Sequence, residues 1–142
     1  MHIFLDFDGV LHPKGAGQTH FTRLPLFEAL MAEPCMATAT IVISSTWRQA
    51  YTLEKLRQFF HPTIAPRIIG TTPTLREYHS EFERGEEIET YISKSSTRRW
   101  IAIDDDEEAF APRLRTRLIL CDGTKGLSTE DIAKVRLLAS SS

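Results

Sequence analysis

Apolar residues gather in five short runs along the chain, and stretches with a helical repeat lie between them. The runs are His2 to Phe7, Thr40 to Ser44, Arg67 to Gly70, Trp100 to Ile103 and Leu118 to Cys121. They are continuous rather than alternating, rich in β-branched residues, and bounded by polar residues or glycine. That pattern belongs to strands covered on both faces. Leu26 to Met31 is weakly helical, and Trp47 to Phe60 places Leu53, Leu56 and Phe60 at helical spacing. Glu86 to Ser93 carries Ile88, Tyr91 and Ile92, and Glu107 to Phe110 forms a short turn stopped near Pro112. Ser128-Thr129-Glu130-Asp131 resembles a capping box, with Asp where Glu or Gln is usual, and opens a last helix ending near Ala139. Strands alternating with helices predict an α/β fold: a doubly wound, mainly parallel five-stranded sheet. There is no internal repeat or long linker, and Ser140-Ser141-Ser142 is expected to fray.

Composition narrows the class. The 142 residues fit one domain, 1–142. A formal net charge of -2 exerts no global pull toward nucleic acid or an anionic membrane. Cys35 and Cys121 lack zinc or redox spacing and read as two reduced, buried thiols. No apolar run approaches the ~20 residues of a membrane span. Met1-His2-Ile3-Phe4 runs into acidic residues and does not read as a signal peptide. The expectation is a cytoplasmic protein without a membrane or an evident protein partner.

In doubly wound sheets, ligands bind beyond the carboxyl ends of the strands. The first run is followed by Asp6, Asp8 and Gly9, the second by Ser44, Ser45 and Thr46, and the fourth by Asp104, Asp105 and Asp106. Two carboxylates ~4 Å apart repel by about 4 kcal/mol at an effective dielectric near 20, so such a cluster needs a cation or protons. Oxygen-only donors facing phosphate favour Mg²⁺. If the backbone stays extended through Phe7, Asp6 and Asp8 share one face. One carboxylate can then attack phosphorus while the other moves protons. Ser44, with Ser45 beside it, offers hydroxyls to phosphoryl oxygens, and the start of the following helix offers backbone N–H groups. Arg84 and Lys94 compete as the balancing cation. Helix N-termini lie at the functional edge of a right-handed βαβ unit, which favours Arg84, at the start of its helix, over Lys94, at its end.

These segments resemble the haloacid dehalogenase (HAD) superfamily of phosphatases. Asp6-Phe7-Asp8-Gly9-Val10 matches its first motif, DxDGx, and Ile41-Val42-Ile43-Ser44 its second. Arg84 matches the third, where Lys is commoner, and Ile101-Ala102-Ile103-Asp104-Asp105 the fourth. The resemblance implies Asp6 as nucleophile and metal ligand, and Asp8 as general acid/base that binds metal through its backbone carbonyl. It also implies Asp104 and Asp105 as metal-site acids; Asp106 leaves the ligand assignment open. A closer resemblance is to small HAD-like domains joined to RNA-repair modules. It rests on Asp8-Gly9-Val10-Leu11-His12-Pro13 and Ser44-Ser45-Thr46-Trp47-Arg48. Residues 9–40 and the interval from Ser44 to Arg84 are too short for a full cap, leaving His12 to Arg23 as a small flap. An uncapped site suits large phosphorylated substrates such as nucleic-acid ends, with a small phosphate ester as the alternative.

Other residues have blander readings. Trp47 reads as a core anchor, His12 as flap surface, and Arg48 as either a substrate contact or a partner of an acid. Arg113, Arg115 and Arg117 alternate as if along one face of an extended segment. With Arg98 and Arg99 they read first as a solvated charged edge, and second as a nucleic-acid backbone contact. The rival functions are a non-catalytic HAD-like binding or regulatory domain, and a receiver-like switch that holds its phosphate.

Overall fold

The structure is a computed structural model and describes residues 1–75 and 81–141. Five strands form one parallel sheet: β1 (His2–Leu5), β2 (Thr40–Ile43), β3 (Ile68–Thr71), β4 (Trp100–Asp104) and β5 (Leu118–Leu120). Their order is β3-β2-β1-β4-β5. The chain moves outward from β1 to β3, then returns across the sheet to β4 on the other side of β1. The topological switch point therefore lies between β1 and β4, where a ligand crevice opens in such folds.

The pleat explains the core. Ile3 and Leu5 point to one face with Ile41, Ile43, Ile101, Ile103 and Ile119. There they meet Phe27, Leu30 and Met31 of α1 (Leu24–Met31), Leu56 of α2 (Leu53–Arg57), and Ile132 and Val135 of α4 (Thr129–Ser140). Phe4, Val42, Trp100 and Ala102 point to the other face, against Ile88 and Ile92 of α3 (Glu83–Ser93) and against Phe110 and Leu114. Both faces of β1 are buried, as its unbroken apolar run requires.

Boundaries differ from the sequence reading for local reasons. The stretch Trp47 to Phe60 is not one helix. A 3₁₀ turn, Thr46–Gln49, ends before Tyr51, and Thr52 caps α2 by accepting a hydrogen bond from the Lys55 N–H (3.2 Å). α3 begins three residues earlier than its apolar pattern, which brings Arg84 into its first turn. Arg113, Arg115 and Arg117 lie on a 3₁₀ segment, Pro112–Arg117, not on an extended one. Arg113 pairs with Glu89 (2.7 Å), Arg115 with Glu107 (3.4 Å), and Arg117 lies over the Trp100 ring. Arg98 and Arg99 donate to backbone carbonyls. Cys121 is buried as expected, but Cys35 is exposed. The capping box at Ser128 is present, with both reciprocal hydrogen bonds to Asp131. Among the described residues, no helix is long and apolar enough to cross a membrane.

Candidate active site

β1 and β4 run in register, Leu5 beside Ile103, so Asp6, just past β1, and Asp104, the last residue of β4, follow them at the switch point. The Asp6 N–H donates to the Ile103 carbonyl (3.1 Å), which holds the first carboxylate at the strand tip. Beyond Asp6 the chain turns back at once. The Val10 and Leu11 N–H groups both donate to the Phe7 carbonyl (3.1 and 2.9 Å), and Gly9 takes a positive φ of 82°. Phe7 is thereby returned to the core. Asp6 and Asp8 still line one cavity, but through this turn rather than through extended backbone.

That cavity measures about 210 Å³ and is lined by Asp6, Asp8, Lys14, Thr46, Arg84 and Asp104 to Asp106. One carboxylate oxygen from each of Asp6, Asp104 and Asp105 lies within 4.8 Å of the others. Arg84 Nη1 bridges two of them, 3.1 Å from Asp6 Oδ1 and 2.9 Å from Asp104 Oδ2. Asp104 is further held by the N–H groups of Asp105 and Asp106, which donate to its Oδ1 (2.8 and 3.0 Å). Lys14 Nζ stands 3.5 Å from Asp105 Oδ2. Three carboxylates thus face two cations.

The electrostatics follow from burial. Burial pushes the Asp6 carboxyl well above the usual carboxylate range, and the charge of Asp104 adds to the push; Arg84 works against both. Burial also raises Asp104, again opposed by Arg84. Burial opposes the charge of Arg84, but Asp104 and Asp6 outweigh it and raise the guanidinium above its usual value. Without more positive charge the site favours protons on Asp6 and Asp104. An all-oxygen donor set of this size suits a hard divalent cation, with Asp6, Asp104 and Asp105 as the residues able to hold it.

Asp105 sits in a slot between two glycines. A Cβ on Gly9 would lie 2.3 Å from Asp105 Oδ2, and one on Gly123 would lie 2.5 Å from it. Both distances are far inside van der Waals contact. Gly123 follows β5, whose end was not assigned to the site from sequence. The Asp122-Gly123 pair after a strand was the available signal. Lys14 was also missed; its N–H donates to the Gly123 carbonyl (2.7 Å), which fixes the loop.

The other candidates divide. Ser44 is buried at the end of β2, and Ser45 caps the 3₁₀ turn by accepting the Trp47 N–H (3.2 Å). Neither lines the cavity; Thr46 does, and it is exposed there. Lys94 follows α3 and lines a different groove, with His2 at the start of β1 and Thr71 to Pro73 at the end of β3, and it is not among the residues that line the Asp6 cavity. Arg48 is an acid's partner: its Nη2 lies 2.9 Å from Glu87 Oε2, with both side chains buried. His12 is not flap surface. It is 2% exposed, and its Nε2 lies 2.7 Å from Asp8 Oδ1. Trp47 is half-buried, and its Nε1–H donates to Asp8 Oδ2 (3.1 Å).

The family model of the HAD domain in Swiss Army Knife RNA repair proteins matches residues 2–132. The chain belongs to this family. No curated protein and no solved structure matches it. HAD membership agrees with the parallel sheet and with the acids at the tips of β1 and β4, and it points to phosphatase-type hydrolase chemistry.

Proposed function

We propose that this HAD domain is a Mg²⁺-dependent phosphatase that removes the phosphoryl group of a phosphate monoester through an aspartyl-phosphate on Asp6. The observation that carries this reading is the meeting of Asp6, Asp104 and Arg84 at the switch point, with Asp8 in the same cavity. An Asp6 oxygen attacks phosphorus, the bond to the ester oxygen breaks, and that oxygen leaves with a proton from the Asp8 carboxyl. A water then attacks phosphorus and gives a proton to Asp8. The bond to Asp6 breaks, phosphate departs and the Asp6 carboxylate is restored. Arg84 offers positive charge to the transferring phosphoryl oxygens, and Thr46 a hydroxyl at the cavity wall. Asp6, Asp104 and Asp105 would hold Mg²⁺, which would supply charge neutralisation for the transferring phosphoryl group.

For substrate we propose a phosphorylated RNA end. The family's RNA repair context supports this, as do the intervals around Asp8 and Ser44, which leave no room for a full cap. The test assays the protein on an aryl phosphate, on small phosphate esters, and on 3′- and 5′-phosphorylated oligonucleotides, with Mg²⁺ and with EDTA. Mg²⁺-dependent phosphate release that is fastest on an oligonucleotide is expected. Mg²⁺ binding by folded protein without turnover or phosphoenzyme would instead favour a non-catalytic domain.

Gly123→Ala checks the metal assignment. Its Cβ must displace Asp105, so the Mg²⁺ concentration for half-maximal activity should rise by roughly 10- to 100-fold, as for lost support of a metal ligand. Titration calorimetry should show the same loss of affinity.

A further inference from the structure

We infer that His12 and Trp47 are positioning residues that fix the carboxyl of Asp8 for proton transfer. This rests on the phosphatase reading above and goes beyond it by assigning the groups that make Asp8 competent.

Each oxygen of the Asp8 carboxyl meets one ring nitrogen, Oδ1 that of His12 (2.7 Å) and Oδ2 that of Trp47 (3.1 Å). The His12 tautomer follows from its other contact. The Phe21 N–H donates to His12 Nδ1 (3.1 Å), so Nδ1 is the acceptor and Nε2 carries the hydrogen given to Asp8. Trp47 can only donate. The Asp8 side chain itself is 45% exposed, whereas that of His12 is 2% exposed. An accessible acid is thus clamped from behind by two donors.

The clamp is itself held in place. His12 stacks on His20 at 4.7 Å and packs edge-on against Phe21 at 5.5 Å, while Trp47 lies 5.4 Å from Phe7. Phe21 takes a φ of 63°, a left-handed backbone that a bulky side chain rarely adopts. That conformation sits at the residue whose N–H orients His12.

A carboxyl with both oxygens engaged keeps one rotamer, and its proton must use a remaining lone pair. Proton delivery to the leaving oxygen and proton removal from water both depend on that placement. Releasing the clamp should therefore cost catalysis in a way that depends on the leaving group.

His12→Ala, His12→Gln and Trp47→Phe test this, each compared with wild type on an alkyl phosphate and on 2,4-dinitrophenyl phosphate. The second leaving group needs no proton. His12→Ala should lower kcat on the alkyl phosphate by roughly 10- to 100-fold. Its KM should stay within about twofold, since lost transition-state contact does not weaken ground-state binding. With the dinitrophenyl ester, a fast burst of phenolate should precede slow turnover, because phosphorylation proceeds while hydrolysis still needs Asp8. His12→Gln restores an N–H near the Nε2 position and should recover most of the loss. Trp47→Phe keeps the ring and should show a smaller loss of the same pattern. If His12→Ala fails to fold, the other two variants decide. Unchanged kcat on the alkyl phosphate, loss of the phenolate burst with the dinitrophenyl ester, or a rise in KM alone would overturn the inference. Wild-type protein inactive on every phosphate would overturn the phosphatase reading, and this inference with it.

Discussion

Asp6→Asn should lower kcat by at least about 10³-fold, as expected for loss of a nucleophile, and should also make the metal-free protein more stable. The first effect follows from chemistry: an amide does not form the acyl phosphate. The second follows from burial. Asp6 is raised well above the usual carboxylate range, first by burial and then by Asp104. The folded chain therefore holds this proton more tightly than the unfolded chain does. Stability then falls as pH rises from the ordinary carboxylate pKa through the folded value, and the full penalty applies above it. An uncharged Asn escapes that penalty. Relieving such a strained site commonly returns about 0.5–2 kcal/mol. Melting curves in EDTA should place the variant about 2–8 °C above wild type at neutral pH. The gap should close in acid, where Asp6 is protonated in both states. Mg²⁺ should raise the wild-type melting temperature and do less for the variant. A variant less stable than wild type in EDTA would show that Asp6 ionises without cost and that Arg84 balances it fully.

The sheet was legible because β1, β2 and β4 are buried on both faces and so must be continuous apolar runs. Asp6 and Asp104 were legible for the same reason: an acid ending such a run has only the sheet edge to occupy. Arg84 required an argument about which end of α3 faces that edge, and the bridge to Asp6 and Asp104 agrees with it. Contacts between distant loops left no local trace. His12 lies in a stretch with two glycines and reads as surface. It is buried because the chain folds back after Asp8 and Phe21 returns to cover it. Gly123 and Lys14 reach Asp105 from separate loops, and neither has a periodicity to betray it. The helix over Trp47 to Phe60 failed for a local reason, since Thr52 stabilises a new helix start more than its side chain favours a helix interior.

The acids are supported from beneath by a second charged centre, which is a structural one. Arg48 donates through Nη1 to the carbonyls of Ser44 and Ser45 (3.2 and 2.9 Å). Its Nε donates to the carbonyl of Thr72 (2.9 Å) and its Nη2 to that of Pro73 (3.3 Å). The ends of β2 and β3 are thus tied by one side chain. Glu87 of α3 completes the arrangement, pairing with Arg48 and accepting the Leu75 N–H (3.2 Å). Burial pushes the Glu87 carboxyl above its usual range, and the charge of Arg48 offsets only part of that push. The pair thereby fastens α3, which carries Arg84, to the strand ends that carry Ser44 and Thr46.

Arg48→Ala should consequently cost stability far more than a surface arginine would. It leaves Glu87 buried without its partner and removes the guanidinium donor from four carbonyls, of which that of Ser45 keeps the N–H of residue 48. Breaking a buried pair in this way costs about 3–5 kcal/mol. For a chain of this size that lowers the melting temperature by roughly 10–20 °C. Glu87→Gln removes the charge but keeps an acceptor for Leu75, so it should cost less. The double variant Arg48→Met/Glu87→Leu should be more stable than Arg48→Ala alone, because no buried charge remains unpaired. Thermal melts of the four proteins rank these costs, and adding the single variants Arg48→Met and Glu87→Leu closes the cycle that gives the coupling. A loss near 1 kcal/mol for Arg48→Ala, in the range of an exposed pair, would mean that water reaches Glu87 once the guanidinium is gone. The tie between α3 and the strand ends would then rest on apolar packing around Ile88.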